Sequence, residues 1–245
     1  NTVAAQLILR VGVNSVISTA HRLGITADLT RDASLALGTS EVSLLELTTA
    51  YATFANGGAG AIPYGITEIR NARGTVLYHR AGSGVGQVIA SPIAAQMNEM
   101  LMGVMTHGTG HAAALERPSA GKTGTTQDFK DALFIGYTAD LVAGIWFGND
   151  DNSPMKHVTG GTLPAQTWHG FMTEAEAGTP IHALLLPAPP PLPAPPPPTV
   201  AATGAPGSPP GSPTRSPTTG PIEQARQSPR TGLTAILDQL FGQRN

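Results

Sequence analysis

The chain has 245 residues, of which 40% are hydrophobic and only 12% charged, and its net charge is -2. That length suits one large domain or two small ones, and the faintly negative balance argues against nucleic acid as a main partner. Cysteine is absent, which fits an oxidising compartment. No apolar run is long enough to cross a membrane and no signal peptide is present; with Asn1 in place of a starting Met, the chain reads as a fragment or a processed product.

In chain order, the apolar spacing predicts a helix over Thr2 to Val11, with Val3, Leu7, Ile8 and Val11 on one face. Gly12 and Asn14 interrupt it, and Ser15 to Leu23 makes a second short helix closed by Gly24. Ser40 is the expected cap of a helix over Ser43 to Phe54, whose stripe is Leu44, Leu45, Leu47, Ala50, Tyr51 and Phe54; Asn56-Gly57-Gly58 ends it. The Thr2 helix is expected to bury itself against this one. A β-hairpin turns at Asn71-Ala72-Arg73-Gly74. Ser91-Pro92 caps and opens a helix over Ile93 to Met105, with Met97, Met100, Leu101, Val104 and Met105 as its core stripe.

Next come three strands. Lys122-Thr123-Gly124 leads a three-stranded antiparallel sheet completed by Asp131 to Tyr137 and Leu141 to Gly148 around a turn at Thr138-Ala139-Asp140. A helix follows over Pro164 to Ala177. The expected fold class is therefore α/β, an antiparallel sheet flanked by helices. After Gly178 the composition changes, and most of the 22 prolines lie beyond Pro180. Pro187 to Pro198 reads as polyproline II and Ala201 to Pro221 as a disordered tether. Thr231 to Gly242 regains a helical stripe of Leu233, Ile236, Leu237, Leu240 and Phe241. Such a segment either docks on a partner or membrane surface or frays as an isolated short helix.

The chemistry concentrates in Ser119-Ala120-Gly121-Lys122-Thr123-Gly124-Thr125-Thr126. A strand edge offers N–H and C=O groups to an extended peptide, and Gly124 has no side chain to obstruct it. Lys122 supplies positive charge for a terminal carboxylate and for proton traffic. The Thr123 and Thr125 hydroxyls can donate hydrogen bonds, and a backbone N–H near Thr125 suits an oxyanion hole. The plain alternative is a threonine-rich edge strand with a solubilising lysine.

Two strings match Ser-x-x-Lys, the spacing that puts a nucleophilic serine and a lysine on one helical face. Ser119 to Lys122 overlaps the predicted strand, and Ser153-Pro154-Met155-Lys156 does not continue into a helix. Both read as coincidences, leaving no nucleophile in the chain. His107 and His111 are separated by glycines that disfavour a helical ligand pair. Asp128, Asp131, Asp150 and Asp151 read as solvated caps at strand ends and turns. No metal site and no cofactor are expected.

Several segments together resemble the transpeptidase domain of class A penicillin-binding proteins, the bifunctional peptidoglycan synthases. They are Ala36 to Val42, Ala50 to Gly58, Gly121 to Thr126, Asp131 to Tyr137, Trp146-Phe147-Gly148-Asn149-Asp150 and Thr159-Gly160-Gly161, in the family's order, within residues 1 to roughly 176. Class B penicillin-binding proteins and β-lactamases share the Lys-Thr-Gly triplet, but the Gly-Asn-Asp and Thr-Gly-Gly segments favour class A. The resemblance implies a penicillin-binding protein transpeptidase and β-lactamase-like fold, incomplete on its N-terminal side. It makes Lys122 catalytic, and Thr123, Gly124, Thr125 and Thr126 substrate-binding. Gly160 and Gly161 would line the far side of the cleft, unless they merely form a helix-entry turn. Asn1-Thr2-Val3-Ala4 resembles the end of the family's Ser-x-Asn motif, which makes Asn1 a second catalytic residue; a fragment terminus or helix cap is the alternative.

The implied reaction is D,D-transpeptidation of peptidoglycan stem peptides ending in D-Ala-D-Ala, with β-lactams as suicide substrates. The parent protein would carry a glycosyltransferase domain and a membrane anchor upstream, at the periplasmic face of the inner membrane. Two other readings stay open: a class A β-lactamase or D,D-carboxypeptidase, and a non-catalytic cell-wall binding or scaffold module. The domain division expected is 1–177 transpeptidase part, 178–230 proline-rich linker and 231–245 amphipathic segment.

Overall fold

The structure, a computed structural model, describes residues 1–189 except Ser83. Most of the expected proline-rich tether and the whole amphipathic 231–242 segment lie outside the described residues.

Helix α1 (Thr2–Val11) meets α2 (Val13–Arg22) at Gly12, and the pair bends through 86°. Gly12 has φ of 94°, a conformation costly for any residue with a Cβ. Contrary to the sequence expectation, α1 packs chiefly on α2 and on a 3-10 turn at Ala33–Leu37, not on α3 (Leu44–Ala55). That turn is fixed by Asp32, whose carboxylate accepts the Ser34 N–H at 2.7 Å, and it supplies the surface that α1 meets. Ile8 is the one residue of α1 that becomes fully buried.

The cap of α3 is Ser43, one turn later than the Ser40 expected from sequence. Ser43 Oγ accepts the Glu46 N–H and Glu46 returns the bond to the Ser43 N–H, both at 3.2 Å. Ser40 instead closes the preceding loop, accepting the Thr30 N–H at 2.9 Å. Leu44 and Leu45 stay exposed, and the buried face is Thr49, Ala50, Thr53 and Phe54.

A short strand β1 (Ala59–Ala61) and the hairpin β2 (Glu68–Arg70) and β3 (Val76–His79) follow, with β4 (Gly84–Gln87) returning to pair with β1. The hairpin turns where expected, and Asn71 Oδ1 accepts the N–H groups of Arg73 and Thr75 at 2.9 Å. Helix α4 (Ser91–Thr106) takes Ser91 into its first turn, with Ala90 rather than Ser91 as N-cap. Its buried face carries Asn98 among Ile93, Ala94, Ala95, Leu101 and Met105, while Met100 points outward. A helical stripe read for apolar residues alone passes over Asn98, because its burial depends on partners from other segments.

The sheet has the order β5 (Ala120–Thr125), β6 (Asp131–Tyr137), β7 (Val142–Gly148), all antiparallel, with β5 on an edge. Lys122 stands opposite Ile135, Gly124 opposite Leu133 and Thr125 opposite Ala132. One core joins Phe54, Ala94, Leu101, Ala120 and Tyr137; a second joins Met105, Phe134, Trp168 and Met172 beneath α5 (Leu163–Ala175). Gly136 makes the second core possible, since a Cβ there would lie 2.7 Å from the Trp168 ring. Trp168 Nε1–H then donates to the Gly136 carbonyl at 3.2 Å.

Beyond α5 the chain continues without regular secondary structure as a strap over residues 179–187. Arg117 holds its start, donating from Nη2 to the Glu176 carbonyl at 3.0 Å and from Nη1 to Thr179 Oγ1 at 3.1 Å. The Glu176 carboxylate is buried, accepts the Thr138 hydroxyl at 2.6 Å and lies 3.6 Å from Arg117 Nη1. Further along, His182 Nδ1 meets Asp140 at 2.8 Å, Leu184 is buried in the first core, and the Leu185 carbonyl accepts from Asn98 Nδ2 at 2.9 Å.

Candidate active site

The residues Lys122 to Thr125 lie on the exposed edge of the sheet. The Thr126 N–H bonds back to the Asp131 carbonyl at 3.0 Å. Because inward and outward backbone groups alternate along an antiparallel edge strand, the N–H of Thr125 and the C=O of Thr123 therefore face away from β6. An extended peptide laid along β5 would meet these groups first.

Side chains alternate as well. Thr123 and Thr125 share the face that carries Phe134 and α5. Thr123 Oγ1 lies 2.6 Å from Thr109 Oγ1, and Thr125 Oγ1 accepts the Gly160 N–H at 3.0 Å. Lys122 leaves from the opposite face, but its long chain curls to the edge, where Nζ donates to the Thr123 carbonyl at 3.0 Å. Partial burial of its side chain disfavours the charged form and holds the ammonium below the usual lysine range. A lysine so placed gives up its proton more readily than a fully solvated one, so the neutral amine is more accessible.

Gly160 and Gly161 form the floor under this edge. A Cβ on Gly160 would sit 2.3 Å from the Leu133 carbonyl oxygen and 2.5 Å from that of Gly124, and a Cβ on Gly161 would sit 2.3 Å from the Thr109 carbonyl oxygen. Only glycine lets the loop before α5 approach the strand so closely. The Thr162 hydroxyl ties that loop by donating to the Thr159 carbonyl at 2.8 Å.

The structure thus gathers Lys122, Thr123, Gly124, Thr125, Gly160 and Gly161 in one place. Thr126 differs: its hydroxyl accepts the Asp131 N–H at 2.7 Å and so closes the β5–β6 turn. Asn1 is exposed at the start of α1, where its side chain makes no capping bond. Neither Ser-x-x-Lys string is helical. Ser119 is buried immediately before β5, and Ser153 sits in the loop after β7, where its hydroxyl accepts from Asn149 Nδ2 at 3.1 Å. Thr109 is the residue at this site that the sequence reading passed over. Its one signal was a threonine between Gly108 and Gly110 just after a helix end.

The family described as penicillin binding protein transpeptidase domain matches residues 12–173. Penicillin-binding protein 1A of Aquifex aeolicus is 37% identical over 174 residues, a match that covers 70% of this chain. The chain spans only 24% of that relative's length. Among solved structures, penicillin-binding protein 1A from Haemophilus influenzae superposes with a TM-score of 0.68 at 25% identity, covering 76% of this chain and 34% of that one. The PonA1 protein from Mycobacterium tuberculosis in complex with penicillin V gives a TM-score of 0.62 at 26% identity, covering 69% and 51%.

Proposed function

Because this chain belongs to the penicillin-binding protein transpeptidase family, we propose that it supplies the strand-edge side of a serine D,D-transpeptidase site. The reaction is cross-linking of peptidoglycan stem peptides. A serine attacks the carbonyl between the two terminal D-alanines, the last D-alanine leaves with a proton on its nitrogen, and the amine of a second stem peptide resolves the acyl-enzyme. β-Lactams acylate the same serine. The site works at the periplasmic face of the inner membrane, and the whole protein pairs this activity with a glycosyltransferase. The transpeptidase part of this chain extends to residue 177, and the strap after it packs on that part through Leu184 and Leu185 rather than starting a free linker at 178; the remainder of the expected linker to 230 and the end segment lie outside the described residues.

The observation that carries the reading is the edge strand itself: Lys122 Nζ curls onto the Thr123 carbonyl beside outward-facing backbone groups, on a floor of two glycines. The Thr125 N–H suits the oxyanion of the tetrahedral intermediate, and the Thr123 hydroxyl with Lys122 suits the terminal carboxylate. The lowered lysine pKa supports a part for Lys122 in proton movement. Asn1 is assigned to the other wall of the cleft, as the polar residue of a Ser-x-Asn motif. The nucleophile is not one of this chain's own Ser-x-x-Lys strings, because neither stands at a helix start.

Labelled penicillin tests this. The 245-residue chain on its own should acquire no stable adduct, and an adduct mapped to Ser119 or Ser153 would overturn the assignment. In the native full-length protein, Lys122→Ala should slow penicillin acylation by about a hundredfold or more. Undiminished labelling of that variant removes Lys122 from the reaction.

A further inference from the structure

We infer that Thr109 is a positioning residue: its hydroxyl donates to Thr123 Oγ1 and so turns the single Thr123 proton outward, toward the carboxylate of a bound peptide. The inference rests on the carboxylate-recognising role given to Thr123 above. It starts from the 2.6 Å separation of the two hydroxyl oxygens, which fits one O–H···O bond. Each hydroxyl has one proton and can also accept. If Thr123 donates to Thr109, it has nothing left for an anion. If Thr109 donates, Thr123 keeps its proton for the ligand and is polarised by the bond it accepts.

Thr109 is held where it can do this. It follows the end of α4, where the His107 N–H reaches the Gly103 carbonyl at 2.9 Å and the Gly110 N–H reaches the Val104 carbonyl at 3.0 Å. A Cβ on Gly108 would lie 2.8 Å from Val104 Cα, so the chain turns tightly just before the threonine. On its other side, Gly161 packs against the Thr109 carbonyl at a distance no side chain would permit. The end of α4 on one side and the remote loop at Gly161 on the other therefore fix the Thr109 backbone, and the β-branched side chain has few rotamers from which to choose. Lys122 Nζ, donating to the Thr123 carbonyl, brings positive charge to the residue that carries the outer hydroxyl of the pair. The favoured order is thus Thr109 to Thr123 to carboxylate, each bond strengthening the next.

The test uses the full 245-residue chain and a short peptide ending in D-Ala-D-Ala, as the free acid and as its C-terminal amide. Binding is followed by NMR shifts of the Thr123, Gly124 and Thr125 amides. In the unsubstituted chain the acid should bind better than the amide. Thr109→Val should weaken the acid roughly tenfold, the scale of one hydrogen bond serving a charged group, and leave the amide unchanged. Thr109→Ser, which restores the hydroxyl, should restore the preference. A Thr109→Val chain that still prefers the acid as strongly as the parent overturns the positioning role while leaving the site reading intact. A parent chain with no acid preference overturns the site reading, and this inference with it. Thr109→Ala takes the place of the valine variant if the latter loses the native spectrum.

Discussion

Gly160 shows how much of this site depends on a missing side chain. The atoms a Cβ would meet are the backbone oxygens of Leu133 and Gly124, which belong to a hydrogen-bonded ladder and cannot step aside as a flexible side chain would. Gly160→Ala should therefore lift the loop off β5, break the bond from the Gly160 N–H to Thr125 Oγ1, and destabilise the chain by about 1–3 kcal/mol. Urea denaturation checks the cost, and unchanged stability would show that the loop yields freely. The residues flanking Lys122 were legible in the sequence because a strand edge, a lysine and glycines make chemical sense as a local string. Thr109 and the floor contact were not, since their meaning lies in two hydroxyls and two backbones that only the fold brings together. Asn98 was missed for the same reason: its amide accepts the Tyr137 hydroxyl at 2.7 Å and donates to Leu185.

At the scale of elements, the sequence pattern located the five α-helices among the described residues and the three strands of the β5-β6-β7 sheet, but the caps drifted. Ser40 and Ser91 looked like caps because serine is a good one; Ser43 holds the place on α3 because Glu46 stands three residues after it. Glu46 does more than complete that box. It also accepts the Thr26 N–H at 2.8 Å, joining the loop after α2 to the start of α3. Bonds from Thr26, then from Ser43, pull its pKa from the ordinary 4.5 down to about 2. Its folded pKa is thus below its unfolded one, so the stabilisation is complete above 4.5 and disappears as pH falls toward about 2. Unfolding midpoints of the parent and Glu46→Gln should differ at neutral pH and converge on acidification through that window. A gap that stays constant with pH would mean the carboxylate charge is not its cause.

Across the whole molecule, the strap is what closes the first core after the sheet and helices are in place. Leu184 fills that core, and Asn98 links the strap to α4, to β6 and, at 3.4 Å, to the Phe54 carbonyl of α3. Burying Tyr137 beside these groups drives its hydroxyl pKa well upward, so it remains a proton donor to Asn98 at any working pH. Leu184→Ala should cost about 2–5 kcal/mol in urea unfolding; a loss within experimental error would show the strap to be an accessory. The strap also has a mechanical meaning. Tension from the chain that follows meets the Leu185 and Leu184 anchors first, then the His182–Asp140 pair, and last the Arg117 clamp at Glu176 and Thr179. Eight residues, 180–187, would peel away before the clamp at Thr179 is loaded, a reach of roughly 27 Å. Each anchor would give way in turn and take up part of the pull before it reached the clamp, as a cable's strain relief spares the joint behind it.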